Sequence, residues 1–135
     1  MIGARALKGA VALVAFAVAL GAAAAETQTS NQGGVEVRVT PGRFTPGAAT
    51  WDFAVVFVTH TTELSGDPAQ FTALRDPQGR THAALRWDGD APGGHHRKGV
   101  LRFQPLRPAP PSVTLEMRGV GGVSERTFTW PVADR

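Results

Sequence analysis

The stretch WDFAVVFVTHT, Trp51 to Thr61, decides how the rest of the chain is read. In extended backbone successive side chains point to opposite faces. Trp51, Phe53, Val55 and Phe57 therefore share one face, and Asp52, Ala54, Val56, Val58 and His60 share the other. Both faces are largely apolar, which predicts a strand in the middle of a sheet or one whose outer face is covered. Either another segment, such as the later proline stretch, lies over Ala54, Val56 and Val58, or these residues form part of a protein-binding surface. Together with Arg97 they make the candidate partner surface.

Working outward, VEVRV alternates Val35, Val37 and Val39 against Glu36 and Arg38, the pattern of a half-exposed strand. The turn PGRFTPG joins it to the central run. Beyond a polar bend containing Gly66 and Pro68, FTALRD and THAALRW read as two short strands joined by the turn DPQG. A helix over Phe71 to Arg75 would be too short to stand alone. The loop DGDAPGGHHRK leads into GVLRF, a proline cluster from Pro105 to Pro111 forces an extended crossing, and SVTLEMR alternates again. The glycine turn GVGG delivers a last strand with Phe128 and Trp130 on one face. About seven strands without a convincing helix predict an all-β fold, an immunoglobulin-like antiparallel β-sandwich. A small Greek-key barrel is the competing architecture.

The N-terminus, MIGARALKGAVALVAFAVALGAAAAE, has cations at Arg5 and Lys8, an apolar core from Val11 to Leu20, and small residues at Ala23 and Ala25. Those are the three regions of a secretory signal peptide. The reading is a signal peptide over 1–25, a flexible polar linker over 26–34, and a single β-sandwich domain over 35–135. The expected destination is the periplasm or the exterior, and the alternative is an uncleaved segment anchoring the chain in the inner membrane. Without that leader, twelve Lys and Arg face eleven Asp and Glu, leaving +1. The cations are scattered apart from Arg97 and Lys98, which argues against nucleic acid and against membrane insertion after cleavage. No cysteine is present, so disulfides, thiolate metal sites and cysteine nucleophiles are excluded.

WDF at 51–53, TH at 59–60, DPQGR at 76–80, GGHHR at 93–97, GVLRF at 99–103 and GGVSERTFTW at 121–130 form an ordered set of motifs. In that set the chain resembles a group of small, uncharacterised exported bacterial proteins and domains. The resemblance runs from Val35 to Trp130 and implies an exported all-β domain with no established activity. Where that group's pattern places an acidic residue just before the TH pair, this chain has Val58 and Thr59, one polar group fewer beside His60.

Histidine is the commonest transition-metal ligand, and an exported protein meets copper and zinc. His60, His95 and His96 are the candidate ligands; the expectation is no cofactor, with copper or zinc as the alternative. Adjacent strand residues point to opposite faces, so His95 and His96 share an ion only if the loop curls, with His60 arriving from the end of the central strand. The alternative is that the histidines are loop residues facing backbone or water. A calcium loop starting at Asp88 fails, because Pro92 and Gly99 stand where oxygen ligands are needed. Asp88 and Asp90 read instead as turn residues, and Glu63 and Asp67 as bend carboxylates. The three tryptophans read as core closures, with an aromatic platform for sugar as the rival. No G-x-S-x-G, phosphate loop or dinucleotide fingerprint occurs. The expected function is a noncatalytic, exported interaction or accessory module of the cell envelope, its partner another envelope protein. A periplasmic copper- or zinc-binding protein is the alternative.

Overall fold

Among the described residues, alternation along the chain becomes nine strands, with one short α-helix and one 3-10 turn (Val120–Gly122) between them. They are β1 (Gln28–Gln32), β2 (Val35–Pro41), β3 (Trp51–Thr59), α1 (Pro68–Phe71), β4 (Thr72–Arg75), β5 (Thr81–Ala83), β6 (Arg86–Gly89), β7 (His96–Phe103), β8 (Ser112–Met117) and β9 (Arg126–Pro131). The structure, a computed structural model, describes residues 25–132. The expected signal peptide lies outside the described residues except for Ala25, and among the described residues no helix is long and apolar enough to cross a membrane.

The strands form two antiparallel sheets, one in the order β1-β2-β3-β7-β6 and the other β5-β4-β8-β9. Among the described residues no ladder joins one sheet to the other, so the arrangement is a sandwich and the barrel alternative is not adopted. As its two apolar faces predict, β3 is central, flanked by β2 and β7, with Trp51 opposite Phe103 and Val58 opposite His96. Its inward residues Trp51, Phe53, Val55 and Phe57 are buried against Leu74, Leu115, Met117, Phe128 and Trp130 of the facing sheet. Phe53 links the layers, its ring 5.5 Å from Phe103 and 5.7 Å from Trp130. Burial of such a side chain contributes about 1.5–3 kcal/mol, so this aromatic centre dominates the core.

Three expectations need correction. Residues 26–34 are not a flexible linker: Gln28–Gln32 is an edge strand paired with β2. Its stability does not come from apolar side chains. Gly33 and Gly34, with φ of 62° and 77°, make the two-residue turn that favours a hairpin. The side chain of Arg126 then holds the hairpin to the other sheet, donating to the carbonyls of Ser30, Gln32 and Val35. Second, THAALRW is not one strand. It breaks at Ala84–Leu85, so that β5 pairs with β4 in one sheet and β6 with β7 in the other. The Leu85 amide donates to the Arg102 carbonyl at 2.7 Å, the first bond to the second sheet. With β1, this break raises the count from seven to nine. Third, a short helix does form, one turn ahead of the predicted strand. Asp67 caps it by accepting from the Ala69 amide, and Pro68 occupies its first turn.

Thr59 ends the central strand. Its hydroxyl donates to the Gly34 carbonyl and accepts from the amides of Thr61 and Thr62, turning the chain over the end of the sandwich. That same end receives the start of β7 and the end of β8, and it carries most of the candidate residues.

Candidate functional site

The loop carrying His95 is fixed by its backbone. The Thr59 amide donates to the His95 carbonyl at 2.9 Å, and the Leu64 amide donates to Gly94. His96 is the first residue of β7, opposite Val58, and His60 lies just past β3. All three imidazoles are exposed, and none makes a hydrogen bond among the described residues. Although β3 and β7 do pair, no group of three His, Asp or Glu that could hold a metal occurs among the described residues. His60, His95 and His96 are thus neighbours at one sheet end without forming a ligand set.

The candidate partner surface divides in two. Ala54, Val56 and Val58 lie on the outer face of the five-stranded sheet, with Ala54 exposed and the valines half-buried. Val100 extends the stripe, since it pairs with Ala54. The proline segment does not cover them; Pro108 to Pro111 instead border a groove beside Asp76. Most of the charges around the stripe are paired, and Lys98, opposite Val56, is an exposed cation without an ion pair among the described residues. Arg38 pairs with Glu36, Arg86 with Asp88, and Arg102 bridges Asp52 and Asp88. Hydrogen bonds from Arg102 and Arg86 hold the Asp88 carboxyl below its usual pKa against the opposing effect of desolvation.

Arg97 does not belong to this face. It pairs with Phe57 and shares its inward orientation, leaving the residue only 2% exposed. Its guanidinium donates from Nε to the Asp90 carbonyl at 3.0 Å and from Nη1 to Gly66 at 2.8 Å. It also lies 5.6 Å from the centre of the Trp87 ring, a cation–π distance. Trp87 can occupy that place because β6 and β7 present Gly89 and Gly99 beneath it; a Cβ on Gly99 would stand 2.6 Å from the ring. The Trp87 indole N–H donates to the same Asp90 carbonyl, and the Asp90 carboxylate accepts from the Lys98 amide. Desolvation lowers the Arg97 pKa, opposed by the charges of Asp67 and Asp90, yet an arginine remains ionised. A cleft of about 240 Å³ opens here between the sheets, with Phe57, Leu64, Phe71 and Val120 as apolar walls and Arg97, Arg118 and Glu63 as charged ones.

A second depression, about 420 Å³, lies where the proline segment passes Asp76, Arg80 and His82. Asp76 is buried and accepts from the amides of Gln78 and Arg80, from Arg80 Nε at 2.9 Å, and from His82 Nε2 at 3.3 Å. Burial works to raise its pKa, but the Arg80 amide, His82 and the Arg80 guanidinium together lower it to about 2. The DPQG motif announced the turn, whose Gly79 amide returns to the Asp76 carbonyl. Nothing in the motif announced that the carboxylate folds inward to organise it.

The sequence reading missed two other charged groups. Glu116, 2% exposed, is flanked by Arg75 and Arg118. Its burial opposes ionisation, but hydrogen bonds with Glu125 and Arg118 and the charges of Arg118 and Arg75 hold its pKa below the usual range. Arg126 is equally buried, and burial lowers its pKa. Its signal was present in the chain, because Arg126 has the same strand phase as Phe128 and Trp130, the inward one. Trp51 and Trp130 close the core as expected, while Trp87 is half-buried against Arg97 and Phe57 and offers no open platform.

In comparisons with known proteins, no family model, no curated protein and no solved structure matches the chain.

Proposed function

We propose that this chain is an exported, noncatalytic module of the immunoglobulin-like kind that binds another protein of the cell envelope through the outer face of its five-stranded sheet. The observation that carries the reading is the stripe of Ala54, Val56, Val58 and Val100, left uncovered among the described residues at the middle of the sheet. An apolar centre among mostly paired charges, with the single cation Lys98 beside Val56, suits a protein partner whose own contact surface is apolar and carries at most a small negative charge. Nucleic acid or an anionic membrane would require a cationic field, which paired arginines do not supply. Two antiparallel sheets around one core support the immunoglobulin-like assignment, and the N-terminal leader pattern supports export.

The test uses wild-type protein and Val56→Glu as baits in envelope extract, after thermal melts show equal stability. A partner retained by the wild type and lost by Val56→Glu supports the proposal. Equal retention by both, or no partner at all, refutes it. Sedimentation separates the self-association case: a wild-type dimer that Val56→Glu dissociates would make the face a contact between copies of this chain and displace the envelope partner.

A further inference from the structure

Arg97 differs from the other buried arginine in a way that identifies a ligand. Both point into the core from the beginning of a strand, and neither makes an ion pair among the described residues. Buried charges ordinarily have a counter-charge or a full set of hydrogen bonds. Arg126 comes close to the second: Nη1 and Nη2 together donate to four carbonyls and to the Ser30 hydroxyl, and its one nitrogen without an acceptor, Nε, is sealed in protein. Arg97 has neither. Its Nε and Nη1 are used, but Nη2 has no acceptor among the described residues. That nitrogen is not sealed in protein, and the residue lines the inter-sheet cleft.

The geometry points to the cleft as a binding site for a carboxylate carried on a small apolar group, with Arg97 Nη2 as its donor. The guanidinium is held in place before any ligand arrives by the carbonyls of Asp90 and Gly66 and by the Trp87 ring. Such a donor loses little freedom on binding. Charge selects the ligand. Of the two arginines on the cleft, Arg118 is already engaged by Glu116, and Glu63 adds a negative charge to the wall. Arg97 makes no ion pair among the described residues but already feels the charges of Asp67 and Asp90. A monoanion accepting at Nη2 is therefore the most it can hold, and a phosphate dianion would be left undercompensated. Size selects it further. The cleft, about 240 Å³, falls below the roughly 300–1,000 Å³ of sites for drug-sized ligands, and its apolar walls suit an aliphatic or aromatic tail. Two sources share that chemistry: a free short-chain or aromatic acid, and the C-terminal residue of a peptide.

The experiment is a nuclear magnetic resonance titration of the purified protein, read at Arg97 Nε–H and at the amides of Gly66 and Gly121. The probes are hexanoate, an N-acetylated peptide ending in leucine with a free carboxylate, and the primary amides of both. Saturable shifts with an acid, at least about tenfold weaker with its amide, are expected, because a charged acceptor is exchanged for a neutral one at the same nitrogen. Response to hexanoate alone assigns the source to free acids. Response to the peptide alone, or to both acids, shows that the cleft accepts a chain terminus. Arg97→Lys, which keeps the charge but loses the planar fork, should weaken binding about tenfold. Should that variant fail to fold, the comparison of acid with amide still decides. Equal response to acid and amide, or no saturation by either acid up to about 10 mM, overturns the inference.

Discussion

Replacing Arg126 by methionine tests what holds the polar hairpin to the sandwich. Methionine keeps most of the aliphatic volume and removes every donor. Three of the lost bonds are short: Nη1 to Val35 at 2.9 Å, and Nη2 to Gln32 at 2.8 Å and to Val120 at 2.9 Å. At the lower end for charged donors, about 1.5 kcal/mol each, they sum to about 4–5 kcal/mol. Removing a desolvated guanidinium, whose buried Nε has no partner, returns about 1–2 kcal/mol. The net loss is about 3 kcal/mol, which for a domain of this size lowers Tm by about 12–15 °C.

A global melt alone would not separate this account from simple core damage, but hydrogen exchange does. The β1 ladder, Gln28–Gln32 against Val35–Val39, reaches the other sheet through Arg126. A second tie is the Gln28 amide group, which donates to the Thr129 carbonyl at 2.7 Å. Amides of that hairpin should lose protection well before those pairing β3 with β7. Arg126→Lys, with a charge but no fork, should fall between the two proteins. A Tm within about 4 °C of wild type, corresponding to about 1 kcal/mol or less, together with an unchanged β1 exchange pattern would refute the reasoning.

Asp76 gives a pH signature. Its folded pKa, about 2, lies below the usual carboxylate value, so its contribution is present above that value and is lost as pH falls toward 2. Tm measured against pH should show wild type and Asp76→Asn separated near neutrality and converging between about pH 4 and 2. Gly99→Ala places a Cβ 2.6 Å from both the Trp87 ring and the Gly89 Cα, and should cost about 1–3 kcal/mol in denaturant unfolding while shifting tryptophan emission. Thr72→Val should be neutral or stabilise by up to about 1 kcal/mol, because the Thr72 hydroxyl is buried without a hydrogen-bond partner and valine suits a strand. A clear loss of stability in that variant would mean that the hydroxyl has a partner in solution.

Most of the core was legible because period-two alternation needs no knowledge of neighbours. Trp51 to Phe57, Val35 to Val39, Val113 to Met117, and Phe128 with Trp130 all point inward as the pattern requires. What a strand pairs with is a separate matter. The break at Ala84–Leu85 follows from the β7 edge being available to Arg86–Gly89, and THAALRW carries no glycine or proline to mark it. β1 was illegible for a related reason. Its cohesion comes from its own backbone and from a guanidinium 94–96 residues away, so its side chains show no apolar pattern.

The misplacement of Arg97 came from starting its strand at Gly99. Extended back to His96, the same alternation puts Arg97 in phase with Leu101 and Phe103 and turns Lys98 outward. Histidines drew the functional reading because of their chemistry, yet in GGHHRKG the backbone fixes the loop and the imidazoles remain outside. The arginine beside them is the residue whose position is costly. An inward charge at the rim of a sandwich must be answered by loop carbonyls or by something from outside. At Arg126 the carbonyls of the hairpin and of Val120 answer both terminal nitrogens and leave over only a sealed Nε. At Arg97 two carbonyls leave one nitrogen over, and the two glycines beneath Trp87 keep the ring in place against the guanidinium. The difference between these arginines lies in the acceptors that surround them, and strand phase alone could not reveal it.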